Sequence, residues 1–261
     1  MASPEWRVYA LRYGELPARP AGDVLKGADP HEQPFDMDYF VWALVSEART
    51  VIVDTGFGHE SARRRGRIFL REPAAALRLI GIDAAAVEEV VITHLHYDHV
   101  GNFSRFPAAR LHLQDDEMAY ATGRHMLNDG QGHSFEVDEV CGMVRKVFEK
   151  RVAFHDGDDD LFPGVSLHRI GGHTKGLQSV RVATRRGNIV LASDAAHYYA
   201  NIERRMAFPI FHDEAAVLAG FDRLHALADS PAHVIPGHDP EVMRRYPAPA
   251  PALAGIVARL D

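Results

Sequence analysis

The chain has 261 residues, a formal net charge of −7 and a single cysteine. A chain of this length can bury roughly 70–75 % of the surface it exposes when unfolded, so it needs no disulfide to hold a core. One cysteine excludes an internal disulfide and any multi-cysteine metal cage, and the acidic balance argues against a nucleic-acid-binding surface. No run of about 18 apolar residues could span a membrane. The segment from Met1 to Arg7 lacks the apolar core of a secretory leader. The expectation is therefore a cytoplasmic protein forming one domain over residues 1–261, without nucleic-acid or membrane partners.

Strand-like stretches come first: Trp6–Tyr13, Tyr39–Val45 and Thr50–Val53, the last running into Asp54-Thr55-Gly56. Pro17 to Asp38 is rich in Pro, Gly and charge and reads as a long surface loop. Helical patterns are expected at His59–Leu70 and Pro73–Leu79, with the basic run Arg63-Arg64-Arg65-Gly66-Arg67 on a solvated face. Asp83 caps a short Ala-rich helix, Ala84–Glu89, which leads into a strand at Val90–Thr93. Leu111–Leu113 reads as a strand, and Asp115–Thr122 and Val137–Lys150 as helices. Cys141 is expected to pack as an apolar residue of the second.

Further on, Val165–Ile170 is a strand ending in Gly171-Gly172-His173. Ser179–Ala183 and Asn188–Ala192 form a hairpin ending in Ser193-Asp194. Glu214–Ala228 is a helix, and His233–Ile235 is a strand that stops at Pro236-Gly237-His238. Two blocks of strands followed by helices suit an α+β architecture of two sheets packed face to face with helices outside.

The chemistry is concentrated at strand ends. His94-Leu95-His96-Tyr97-Asp98-His99 places four potential ligands in six residues, too dense for a packing role. An extended backbone puts 94, 96 and 98 on one side, and a turn sends His99 to a neighbouring position. Imidazole nitrogen and carboxylate oxygen are the donors that zinc accepts. His173, Asp194 and His238 add two histidines and a carboxylate able to bridge. Sixteen histidines are many for this length.

The pattern His-x-His-x-Asp-His, followed by a distant His, Asp and His, resembles the metallo-β-lactamase superfamily. That resemblance implies a four-layer αβ/βα sandwich with metals at one edge. It assigns His94, His96 and His173 to one ion and Asp98, His99 and His238 to a second, with Asp194 bridging. It also makes Asp54 a buried carboxylate that supports the ligand loop. The donor set favours two Zn(2+) per chain, though iron, manganese or cobalt also suit such ligands. Redox members of the superfamily carry Glu where this chain has His96, which points to hydrolysis. Such a pair of ions, about 3.5–4 Å apart, activates a water near neutral pH, and Asp98 can carry its proton to the leaving group.

The stretches around Asn102, from His173 to Ser179, and at His238-Asp239 look most like the N-acyl homoserine lactonase branch. The implied substrate is a small lactone or related ester. Members of that branch often place a tyrosine three residues after the bridging aspartate. Here that residue is His197, followed by Tyr198 and Tyr199, so either His197 or Tyr198 is the candidate for touching the substrate carbonyl. A glyoxalase-II-like thioesterase is the alternative. The short stretch after His238, with Pro247 to Pro251, leaves little room for the helical segment such enzymes carry. A non-catalytic metal binder is less consistent with Asp98. Pocket walls are expected from Pro17–Asp38, Arg124–Phe135 and Tyr198–Phe211, where Met126, Phe135, Met206, Phe208 and Phe211 would make an apolar lining. A homodimer fits this branch, although no motif specifies one.

Overall fold

A computed structural model describes residues 5–261. Among the described residues thirteen strands run in chain order: β1 (Arg7–Arg19), β2 (Phe35–Val45), β3 (Thr50–Val53), β4 (Ile68–Phe69), β5 (Glu89–Val91), β6 (Arg110–Gln114), β7 (Val152–His155), β8 (Asp159–Phe162), β9 (Val165–Arg169), β10 (Gln178–Thr184), β11 (Gly187–Ser193), β12 (Val234–Pro236) and β13 (Val257–Arg259). They form two sheets. The first has the order β13-β1-β2-β3-β5-β6-β7, with β4 also paired to β1, and the second is β12-β11-β10-β9-β8.

Strand alternation explains why the layers stack as they do. In β1, Val8 and Ala10 face the second sheet, whereas Tyr9, Leu11 and Tyr13 face the helices. In β2, Phe40, Trp42 and Leu44 share the first of these faces, and Tyr39, Val41 and Ala43 the other. A sheet buried on both sides needs such nearly continuous apolar runs. Between the sheets these residues meet Val165, Leu167, Val180, Val182 and Leu191, and burying each large side chain contributes roughly 1.5–3 kcal/mol. The outer face of the second sheet, through Val190 and Ala192, packs on Val217, Phe221 and Leu224 of the helix Glu214–Leu227. The result is the four-layer αβ/βα sandwich expected from the resemblance.

Several boundaries differ from the sequence reading. β1 continues to Arg19 and β2 begins at Phe35, so the two ends of the expected loop are strand. The helix begun at His59 stops at Arg65, because Gly66 adopts a left-handed φ of 65° and its N–H returns to the carbonyls of Ala62 and Arg63. The chain then forms β4 instead of continuing as helix. Cys141 is exposed and not packed: Val140 and Met143 form the buried stripe of the helix Val137–Phe148, and Cys141 lies off it. The short strands β7, β8 and β13 carry too little alternation to have been read from the sequence.

Candidate metal centre

β9, β11 and β12 all point the same way, since β10 is antiparallel to both β9 and β11 while β12 is parallel to β11. Their C-terminal ends therefore deliver His173, Asp194 and His238 to one edge. β5, in the other sheet, ends just before His94, and a backbone bond from Gln178 N–H to the Thr93 carbonyl (3.0 Å) ties the sheets there. Positive φ at Ser193 (48°) and Asp54 (62°) turns both strand ends sharply. Gly172, with φ +84°, precedes His173 where a Cβ would stand 2.6 Å from the Val217 nitrogen, so only glycine fits.

All seven expected ligand side chains are buried and converge. Ligating atoms of His94, His96, His173 and Asp194 lie within 4.8 Å of one another, and so do those of Asp98, His99 and His238. Asp194 faces both groups. Its Oδ1 lies 3.0 Å from His238 Nε2 and 3.2 Å from His99 Nε2, while Oδ2 lies 3.2 Å from His173 Nε2 and 3.8 Å from His94 Nε2. Asp98 Oδ2 is 3.9 Å from both His99 Nε2 and His238 Nε2.

Hydrogen bonds at the far side of each ring orient the donors. His99 Nδ1–H donates to Asp54 Oδ2 (2.7 Å), His173 Nδ1–H to the Ile210 carbonyl (2.7 Å) and His238 Nδ1–H to the Asp38 carbonyl (2.9 Å). The Thr93 hydroxyl donates to Asp54 Oδ2 (2.8 Å), so its lone pair accepts from His94 Nδ1–H (3.2 Å). These four rings thus present Nε2 to the centre, the arrangement in which outer partners set the tautomer of metal-binding imidazoles, whereas His96 turns Nδ1 inward, 3.0 Å from His173 Nε2. Nε2 of His94 and of His99 is buried with no hydrogen-bond partner. Unpartnered buried nitrogens aimed at a carboxylate are what a metal site requires and a packed core avoids, so the residues fit a bound cation.

Electrostatics agree. Burial, reinforced by the neighbouring imidazoles, pushes His94 and His96 well below their ordinary values and keeps them neutral. Burial would depress His99 as well, but Asp194, Asp54 and Asp98 outweigh it and hold that ring well above the usual range. Three carboxylates around one imidazole call for positive charge. Burial opposes ionisation of Asp194, yet His197, His99 and His238 together hold its carboxyl well below normal.

Two residues that the sequence reading did not single out hold the loops. Glu117, fully buried, accepts through Oε1 from Leu95 N–H (2.9 Å) and through Oε2 from the Thr174 hydroxyl (2.6 Å) and Gly176 N–H (3.1 Å). It thereby joins the loop carrying His94 and His96 to the loop carrying His173. Asp239 accepts from Tyr199 N–H (3.0 Å) and Glu241 N–H (2.9 Å), which secures the turn after His238. Glu117 carries no sequence signal beyond an acidic residue in an expected helix, and Asp239 enters the sequence reading only through the His238-Asp239 resemblance, without a role.

A cavity of about 160 Å³ opens onto the cluster, lined among others by Asp98, His197, Tyr39, Phe208, Ile210, His133 and Ser134. All three expected wall segments contribute, but the apolar lining does not assemble. Phe208 lines the cavity, whereas Met206 packs on the main core and Phe211 on the cluster beneath the second sheet. Phe135 and Met126 are not among the lining residues. His197 Nε2 lies 3.0 Å from Asp194 Oδ2, and its ring stacks on Phe208 at 3.7 Å between centroids. Burial depresses His197 to about 3, against the pull of Asp194, so it is neutral at pH 7. Tyr198 is not a lining residue: its ring packs beside Phe35 and Phe208, and its hydroxyl is buried without a partner. Arg65 and Arg67, read as part of a solvated basic face, turn into this cavity, as does Arg19.

Residues 37–238 match the family model of the Metallo-beta-lactamase superfamily, and the chain belongs to that superfamily of metallo-hydrolases. It is a hydrolytic enzyme with a His/Asp cluster able to hold metal. It is 26 % identical over 226 residues to an N-acyl homoserine lactonase of a Bacillus species, covering 80 % of this chain and 84 % of that protein. It is 32 % identical over 179 residues to the N-acyl homoserine lactonase AttM of Azorhizobium caulinodans, covering 64 % of each. In fold it matches an N-acyl homoserine lactone hydrolase solved with N-hexanoyl-L-homoserine at its catalytic metal centre. The TM-score is 0.77 at 19 % identity, over 95 % of this chain and 98 % of that one.

Proposed function

We propose that the protein is a dinuclear zinc hydrolase that opens the ester bond of a small lactone. One observation carries this reading: the two carboxylate oxygens of Asp194 face two separate groups of histidines. In this reading His94, His96 and His173 hold one ion, Asp98, His99 and His238 hold the other, and Asp194 belongs to both. The similarity to named lactonases supports the substrate class. Such ions, when bound, supply a nucleophilic water at neutral pH and positive charge for a developing oxyanion.

The protein's own side chains do the rest. Asp98, at the cavity wall, accepts the water's proton and returns it to the departing ring oxygen. In this reading His197, which lines the cavity between Asp194 and Phe208, is the residue that contacts the substrate beside the cluster. Asp54 and Glu117 keep the ligand loops in register.

Metal analysis of freshly purified protein should find close to two zinc ions per chain. A pH-stat panel of lactones and thioesters should show lactone hydrolysis, lowered by about 10²-fold or more in Asp98→Asn. Thioesters hydrolysed in preference to every lactone, or wild-type rates in Asp98→Asn, would refute this reading.

A further inference from the structure

Three arginines line the cavity beside the metal-ligating cluster, and they are not equivalent. Arg65 is paired, with Nε 3.0 Å from Glu136 Oε1. Arg19 and Arg67 make no ion pair within 4.0 Å among the described residues. Arg19 donates to the Asp23 carbonyl (3.1 Å), lies 3.2 Å from the Met37 sulfur, and rests over the Phe208 ring at 5.0 Å. Arg67 donates through Nε to the Tyr97 hydroxyl (3.0 Å) and through Nη1 to the Arg65 carbonyl (2.7 Å). Every one of these partners is neutral.

A guanidinium carries five donors, so each side chain retains N–H groups for another acceptor. Partly buried cations without counter-ions are unfavourable unless something else supplies the charge. Asp98 acts on Arg67 at longer range, but it and Asp194, the carboxylates of this cavity, both belong to the ligating cluster. Arg19 reaches that cluster through an unbroken stack, guanidinium on Phe208 and Phe208 on His197. The cavity is also short of the roughly 300 Å³ at the lower end of drug-sized ligand sites, and most of the apolar wall expected from the sequence is absent from it.

We infer that the substrate is a compact lactone or ester bearing an oxyanion group such as a carboxylate, and that Arg19 and Arg67 bind that group as positioning residues. This rests on the ester-hydrolase reading above. The reaction needs no further reactant. Water adds to the acyl carbon, the acyl C–O bond breaks, and the ring oxygen leaves as an alcohol with one of water's protons.

The zinc-loaded protein should be assayed with the γ-lactone of 2-hydroxyglutarate, which carries a carboxylate, and with neutral γ-butyrolactone. The expected kcat/KM ratio is roughly 10- to 100-fold in favour of the anionic lactone, from charge-assisted hydrogen bonds. Arg19→Gln and Arg67→Gln should each shrink that ratio about tenfold, mainly through KM, and 0.5 M salt should shrink it in wild type. Arg19 does not share the Tyr97 contact, so its variant remains informative if Arg67→Gln misfolds. A wild-type ratio near one, or a ratio unchanged in both variants, overturns the inference. If neither lactone is turned over, calorimetry with 2-hydroxyglutarate decides. Arginine-dependent binding upholds the anion site and sinks the ester reading, whereas no binding overturns the anion site.

Discussion

Glu117 offers a test of how the two ligand loops are held. Replacing it by Ala removes the acceptor of three hydrogen bonds, from Leu95 N–H, the Thr174 hydroxyl and Gly176 N–H. The Thr174 hydroxyl can turn elsewhere, but the two backbone N–H groups cannot. Leaving a buried donor unpaired costs about 1–3 kcal/mol, and a water entering the space would recover part of that. Removing the buried carboxyl also relieves a desolvation penalty, which shows as the upward displacement of its pKa by burial against those same bonds. The balance is a loss of roughly 3 kcal/mol. For a chain of this size that lowers Tm by about 6–12 °C. Because Leu95 lies between His94 and His96, and Thr174 follows His173, zinc affinity should also fall roughly 10- to 100-fold. Thermal unfolding and zinc competition against a chromophoric chelator measure the two effects. A Tm within 2 °C of wild type together with unchanged zinc affinity would refute the reasoning.

Asp54→Asn retains a residue that tolerates the positive φ of 62° but weakens the contact with His99 Nδ1–H, so, on the proposed two-zinc reading, one of the two ions should bind about 10- to 100-fold more weakly. Two-step chelator titration reads this directly, and identical titrations for variant and wild type would contradict it. Glu139 is raised by burial, and further by Glu136 and Asp98, to about 8. A carboxyl raised in the folded state favours folding fully below its ordinary value near 4.5, and this contribution is lost as pH climbs through about 8. Glu139→Gln should therefore gain roughly 2 kcal/mol over wild type at pH 9, about half of the ~5 kcal/mol that the full shift represents because water screens part of it, and nothing at pH 4.5, as followed by urea unfolding; an equal gain at both pH values would show another cause. Gly176→Ala places a Cβ 2.1 Å from the Glu117 backbone nitrogen, which cannot move aside, so soluble yield or Tm should collapse by the equivalent of about 3 kcal/mol or more. A variant as stable as wild type would mean that the two segments separate more easily than their packing implies.

Much of this molecule can be read from local pattern. Alternation in Trp6–Tyr13 and Tyr39–Val45 marks strands buried on both faces, and the spacing of His94, His96, Asp98 and His99 marks a dense set of donors. His173, Asp194 and His238 each follow a strand, a position that depends only on where apolar periodicity stops. The extent of β1 and the short strands β7, β8 and β13 were not legible, because pairing with a neighbour fixes them more than their own composition does.

The candidate ligand residues, chemically distinctive and placed at strand ends, were legible in the sequence itself. What the side chains face was decided only by tertiary structure. The fold turns Arg67 out of a basic run and into the cavity, and brings Arg19 onto Phe208 from the far end of β1. It buries Tyr198 while leaving His197 at the centre, although the two are adjacent in the chain. Glu117 and Asp239 look like any other acidic residue until the loops they hold arrive beside them. Charge and hydrogen bonding act over a few ångströms in space, and residues that meet at that range can be a hundred positions apart in sequence.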